Sequence, residues 1–264
     1  MTVSIPNTTR EVLTSESIGE NFVIDILKPN VDGPLPVVIL TDGNMMFPMV
    51  SSTVQLLWAG QDTPKFILVG VGYENHQDAL SLRTRDLTPT VDESYLALLA
   101  DNGKPLPSHL QPGGANAFHE FIEQSVKPLV EADTNGDYTL AGHSLGGLFT
   151  LHVMFSDTNC YRRYLAGSPS LWWDNRHMLN VESEFAESQS LSTKLFTSIG
   201  GREQIGPNSH WSQMVSNWHT FTERLHSRRY SSFELSTQYF ADETHTSVVA
   251  TTWAYGLRQL FRSP

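Results

Sequence analysis

Ser144 lies in the run "TLAGHSLGGLFTLH", residues 139–152, between Gly142 and Gly146. The pattern is G-x-S-x-G, with His143 and Leu145 in the variable places. Alone it is a weak signal, because glycine and serine often meet by chance. Its surroundings strengthen it. The apolar run "YTLAG" before it reads as a strand, and "LGGLFTLHVMF" after it reads as a helix. A strand–serine–helix turn forces the serine into a strained backbone and needs small neighbours, which Gly142, Gly146 and Gly147 supply. It also sets the hydroxyl at a helix N-terminus, where N–H groups favour developing negative charge. Ser144 is therefore a candidate nucleophile.

An alkyl hydroxyl attacks poorly at neutral pH unless a base takes its proton. In a strand–serine–helix arrangement the expected chain order is serine, acid, histidine. The downstream histidines are His152, His177, His210, His219, His226 and His245. His152 belongs to the helix after the serine. His210, His219 and His226 lie on or beside one amphipathic stretch and read as surface or packing residues. His245 comes after the strand-like "SFELSTQYF" and the short acidic loop "ADET", and precedes the last helix. That position puts it on the same sheet edge as Ser144, so His245 is the candidate base. The acid should orient the imidazole. Glu203, just after "KLFTSIGG", ends the preceding strand. Asp242 and Glu243 are the alternatives, close to His245 in sequence. An oxyanion hole needs two backbone N–H groups. Leu145 offers one, and Gly43 or Asn44, in the "TDGNMMF" turn after "VVIL", offers the other. Serine chemistry of this kind calls for no metal and no organic cofactor, and none is expected.

The elements that must hold these residues are legible as short apolar runs. "FVIDILKP" alternates like a strand. "LPVVILTDG", "KFILVGVGY", "DYTLAGHS", "RRYLAGSPS", "TKLFTSIGG" and "SFELSTQYF" come after it. Such runs suit strands of a largely parallel sheet buried on both faces. Helical patterns alternate with them in "ANAFHEFIEQSVKPLVEA", "LGGLFTLHVMF", "SHWSQMVSNWHTFTERLHS" and "TSVVATTWAYGLRQLF". Alternation of this kind predicts an α/β fold with a doubly wound, mostly parallel central sheet flanked by helices. Residues 74–114 are polar, contain Pro89, Pro105, Pro107 and Pro112, and carry little periodicity. They read as one long loop insertion. No break in composition divides the 264 residues, so a single domain over 1–264 is expected.

Lys plus Arg number 17 against 28 Asp plus Glu, a formal charge of −11, which argues against a nucleic-acid partner. No apolar run is long enough for a membrane span, and no membrane partner is expected. The N-terminal residues lack the basic and apolar regions of a secretory signal, and the one cysteine, Cys160, has no intrachain partner. A cytoplasmic location is the simplest reading. The expected partner is a small molecule with a carbonyl carbon that Ser144 can attack.

These residues resemble a known family. "VVILTDGNMMF", "RTRDLTPT", "GGANAFHEFIEQSVKPLVE", "LAGHSLGGLFTLHVMF", "YLAGSPSLWWDN" and "YFADETHTSV" occur in order over nearly the whole chain. Together they resemble the esterase D-like group of α/β-hydrolases, particularly its branch of siderophore (enterobactin and bacillibactin) esterases. The resemblance implies the α/β-hydrolase fold and a serine esterase cleaving a carboxylic ester through an acyl-enzyme. It implies Ser144 as nucleophile, His245 as base and an acid at or near Glu203, in a family where some members work with a serine–histidine pair. In "RTRDLTPT", Arg85 either pairs with Asp86 or binds an anionic or catecholate substrate. Trp172 and Trp173 either line an aromatic pocket or pack in the core. A siderophore-type trilactone is one substrate the resemblance implies. A carbohydrate or generic acyl ester is another, and a non-catalytic binding protein on the same fold is the rival reading.

Overall fold

The computed structural model describes residues 4–75, 77–158, 160–204 and 213–262. The strands are β1 (Thr8–Ser15), β2 (Glu20–Leu27), β3 (Leu35–Leu40), β4 (Ile67–Tyr73), β5 (Thr134–His143), β6 (Arg163–Gly167), β7 (Lys194–Gly200) and β8 (Glu234–Phe240). They form one eight-stranded sheet in the order β1-β2-β4-β3-β5-β6-β7-β8. β1 and β2 pair antiparallel, as do β2 and β4, and the remaining pairings are parallel. The parallel strands therefore present their carboxyl ends along one edge, where ligand sites of open α/β sheets collect.

Helices cover both faces. α1 (Gly43–Ala59) and α8 (Val248–Leu260) lie on one side. There Phe47, Val50, Val54, Trp253 and Leu257 pack against Val38, Leu40, Leu68 and Phe196 of the strands. α4 (Ala115–Phe121), α5 (Leu145–Ser156) and α7 (Met214–Arg228) lie on the other. Phe118, Phe149, Trp218 and Phe221 pack there against Ile39, Leu140 and Tyr164. Each such fully buried large side chain contributes about 1.5–3 kcal/mol of transfer free energy. α5 is apolar almost all round, as a helix buried on every side must be.

The sheet and the helix–strand alternation are as the sequence predicts. The insertion is different. Residues 74–114 are not one loop: they hold α2 (Ala79–Asp86), α3 (Glu93–Asp101) and a 3₁₀ turn at Ser108–Leu110. α3 has no fully buried residue, although Tyr95, Leu98 and Leu99 fall at helical spacing along it. Its start is fixed by Asp92, whose carboxylate accepts from the Tyr95 N–H at 3.1 Å. The stretch "ANAFHEFIEQSVKPLVEA" does not continue as one helix. It passes from α4 through a π turn at Ile122–Val126 into 3₁₀ geometry over Lys127–Asp133, around Pro128. α1, the helix α6 (Trp173–Ser188) and the edge strand β1 join the elements that periodicity predicts. The helix expected from residue 209 starts at Met214, after Gln213; residues 209–212, His210 among them, lie outside the described residues.

Candidate active site

β5 ends at His143, and Ser144 comes next with φ 62° and ψ −118°, a left-handed conformation that a side chain rarely adopts. Two features impose it. The Ser144 N–H donates to the Gly167 carbonyl at 2.9 Å, extending the sheet contact by one residue. α5 then starts at once and brings Gly146 back over Gly142. A Cβ on Gly142 would lie 2.3 Å from the Gly146 carbonyl, so only glycine permits the return. The result is a hydroxyl held at the carboxyl edge of the sheet, at the N-terminus of a buried helix.

His245 lies in the turn between β8 and α8. Its Nε2 is 2.9 Å from Ser144 Oγ, and its Nδ1 is 2.6 Å from Glu203 Oε2. Glu203 sits in the turn after β7, with its side chain 1% exposed. The carboxylate accepts from Ser168 Oγ at 2.6 Å and from the Gly200 N–H at 2.7 Å. Gly200 makes room for it: a Cβ there would lie 2.9 Å from Glu203 Oε1 and 2.5 Å from the Glu243 carbonyl. The two turns are laced together, because the Gly201 N–H donates to Phe240 O at 2.8 Å and the Arg202 N–H to Glu243 O at 3.0 Å. Asp242 is exposed and Glu243 meets this lacing through its backbone, whereas Glu203 is the carboxylate on the imidazole. With Glu203 accepting at Nδ1, the neutral imidazole carries its proton there, and Nε2 is the acceptor that faces the serine.

Other residues gather around these three. Ser170 Oγ is 3.3 Å from Ser144 Oγ, and the Ser170 N–H donates to Ser144 O at 3.1 Å. Ser168 and Ser170 belong to "AGSPS", where each reads simply as a strand end. Arg83 grips Asp42 through two bonds of 2.7 and 3.0 Å, both groups being nearly buried. Burial opposes the Arg83 charge, but the Asp42 carboxylate outweighs it and holds the guanidinium above its ordinary range. Asp42 directly precedes α1 and lies beside Gly146 of the serine turn. A cleft here is lined by Asp42, Asn44, Met45, Tyr73, Ala79, Leu80 and Arg83. Met45 and Leu80 stand exposed at its walls.

The remaining candidates are spread around this centre. Gly43 and Asn44 open α1, and Leu145 opens α5; these helices succeed the neighbouring strands β3 and β5. The Asn44 side chain is occupied with the backbone of Tyr73, donating to its carbonyl at 2.7 Å and accepting from its N–H at 2.5 Å. Arg85 spends its fork on Asp86, at 2.7 and 2.9 Å, with Glu20 3.9 Å away. Trp173 is buried and donates from Nε1 to Thr90 O at 3.1 Å. Trp172, also buried, packs on Trp173 and Tyr95 with ring centroids 5.6 and 6.4 Å apart. His152 Nε2 pairs with Asn116 Oδ1 at 2.8 Å.

Known proteins resemble this chain in sequence and fold. The model of the family described as "Putative esterase" matches residues 15–246. The chain belongs to that esterase family. It is 31% identical to the ferri-bacillibactin esterase BesA of Bacillus subtilis, over 97% of this chain and 90% of that protein. It is 28% identical to the siderophore triacetylfusarinine C esterase of Aspergillus fumigatus, over 98% and 94% of the two chains. Among solved structures, the BES protein from Bacillus cereus superposes with a TM-score of 0.85 at 31% identity, covering 100% of this chain and 99% of that one. The siderophore hydrolase EstA from Aspergillus nidulans gives 0.81 at 26%, covering 98% and 97%. The fold is thus that of these hydrolases, and the protein is a carboxylic ester hydrolase. No helix among the described residues is long and apolar enough to cross a membrane.

Proposed function

We infer that the protein hydrolyses its ester through an acyl-enzyme on Ser144. The line Ser144 Oγ–His245 Nε2, His245 Nδ1–Glu203 Oε2 carries this reading. The ester carbonyl binds at Ser144. As Oγ forms the bond to carbon, its proton passes to His245 Nε2, and Glu203 stabilises the imidazolium. The carbonyl electron pair moves onto oxygen, facing the Leu145 N–H and the N–H of Gly43 or Asn44. N–H groups at a helix N-terminus favour developing negative charge, which supports them as the oxyanion donors. The pair returns, the carbon–alkoxide bond breaks, and the leaving oxygen takes the proton from His245. Water then attacks the acyl-enzyme, His245 accepts its proton and returns it to Ser144 Oγ.

The substrate class proposed is a siderophore-type trilactone, a small molecule worked on in the cytoplasm. Its support is the likeness to the bacillibactin and triacetylfusarinine C esterases. The cleft beside Asp42 and Arg83, with apolar walls at Met45 and Leu80, suits one arm of such an ester. The Arg85–Asp86 pair is read as a brace for the insertion. The test is chromatography with mass detection of iron-free and ferric trilactones, simple acyl esters and acetylated sugars incubated with the enzyme. Trilactone opening at the highest kcat/KM, abolished in Ser144→Ala, is expected. Preference for a simple acyl or sugar ester would overturn the substrate class and leave the serine mechanism standing.

A further inference from the structure

His143 occupies a variable place in G-x-S-x-G, and the mechanism above does not use it. Its ring is 5% exposed and lies against the His245 ring, with centroids 4.7 Å apart and planes at 41°. Its Nε2 is 3.0 Å from the backbone carbonyl of His245. A carbonyl only accepts, so Nε2 carries the hydrogen and Nδ1 is left as an acceptor. That Nδ1 is buried and has no hydrogen-bond partner among the described residues. An apolar ring of the same size would fill the space without leaving a polar atom unpaired. Packing therefore does not explain a histidine here, and the bond to His245 does.

We propose that His143 is a positioning residue whose Nε2–H holds the His245 backbone carbonyl and so sets the imidazole between Ser144 and Glu203. Two consecutive residues then grip one histidine, Ser144 at its ring nitrogen and His143 at its main chain. The anchor is needed because His245 sits in a turn, with Thr246 and Ser247 exposed beside it. The bond also requires a stable donor. Burial, and after it the neighbouring His245, push the His143 pKa down to about 3. The ring stays neutral when His245 takes up the serine proton, so it adds no second positive charge beside the imidazolium.

The inference rests on Ser144, His245 and Glu203 being the catalytic set. The test compares His143→Phe, which keeps a ring and loses the donor, with His143→Gln, whose amide nitrogen can replace Nε2. Displacing a catalytic group by about 1 Å costs on the order of 100-fold. The expected result with a small nitrophenyl ester is a kcat loss of about 10- to 100-fold in the Phe variant. KM should stay within about twofold, and the Gln variant should recover most of the rate. The downfield proton signal of the His245–Glu203 bond should persist in the Gln variant and weaken in the Phe variant. Should the Phe variant not fold, His143→Met replaces it. Full kcat without the donor would overturn the proposal, as would equal losses in the Gln and apolar variants. Ser144→Ala and His245→Ala, measured alongside, separate its failure from failure of the serine mechanism itself.

Discussion

Replacing Glu203 by Gln changes one atom and should stop the reaction almost completely. Glu203 takes three donors: Ser168 Oγ and the Gly200 N–H at one oxygen, His245 Nδ1 at the other. A glutamine keeps two of these bonds by placing its oxygen toward Ser168 and Gly200. Its NH₂ then faces His245 Nδ1, which must become an acceptor. The imidazole proton moves to Nε2, where it points at Ser144 and cannot take the serine proton. The imidazolium also loses its counter-charge. A neutral amide in the equivalent place of a serine–histidine–acid set costs on the order of 10⁴ in kcat, about 5.5 kcal/mol. We expect about 10³- to 10⁴-fold here, with KM nearly unchanged, because Glu203 is buried behind the imidazole. The assay is steady-state hydrolysis of a nitrophenyl ester by a variant whose melting temperature is first shown to match the parent's within a few degrees. A loss below about tenfold would refute the reasoning. If Asp242→Asn or Glu243→Gln then proved severe, the acid would belong to the histidine loop.

Other consequences are independent of that experiment. Arg85→Ala and Asp86→Ala should each destabilise by about 3 kcal/mol, since each leaves a largely buried charge without its partner. Both should impair a neutral and a catecholate ester alike, and the double variant should cost less than the sum of the two in urea unfolding. A KM effect confined to the catecholate ester, with an unchanged melting curve, would return Arg85 to the substrate. Leu80→Ser should raise KM a few-fold for a bulky aryl ester and leave an acetyl ester alone, and equal effects on both would place the substrate arm elsewhere. Burial pushes the His143 pKa to about 3, and burial, with His119 and His177 nearby, pushes that of His152 to about 4. Both sit below the ordinary value of 6.5, so between these pH values the unfolded chain binds protons that the folded protein does not. Stability therefore falls as pH drops below about 6.5, by up to ~1.4 kcal/mol per pH unit for each histidine. In urea titrations between pH 4 and 6.5 the slope should decrease by about one proton in His143→Gln, and an unaltered slope would contradict this.

The site is legible in sequence to the extent that its residues end strands. β3 to β7 carry continuous apolar runs because they are buried on both faces, and the parallel topology alone places the residue after each run on one edge. Ser144 and Glu203 are readable in that way, and His245 follows β8, which is only partly buried but pairs parallel with β7. β1 is not, since it is a polar, exposed edge strand held by its pairing with β2. α3 is less so, because its apolar residues Tyr95, Leu98 and Leu99 span little more than one turn and none is fully buried. The Asp42–Arg83 pair joins residues 41 apart, and sequence does not show that Arg83 takes Asp42 while Arg85 takes its neighbour. Ser168 and His143 look like filler in sequence for a related reason. Their significance lies in partners, Glu203 and the His245 carbonyl, that only the folded edge brings near.

The proposed mechanism stands on the acylation of Ser144 during turnover. The most direct measurement is peptide mass mapping of the enzyme quenched in acid while it hydrolyses a nitrophenyl acetate. One acetyl group per chain is expected, on Ser144, and none in Ser144→Ala. Continued turnover with no acyl adduct, or an adduct on another residue while Ser144→Ala remains active, would contradict it.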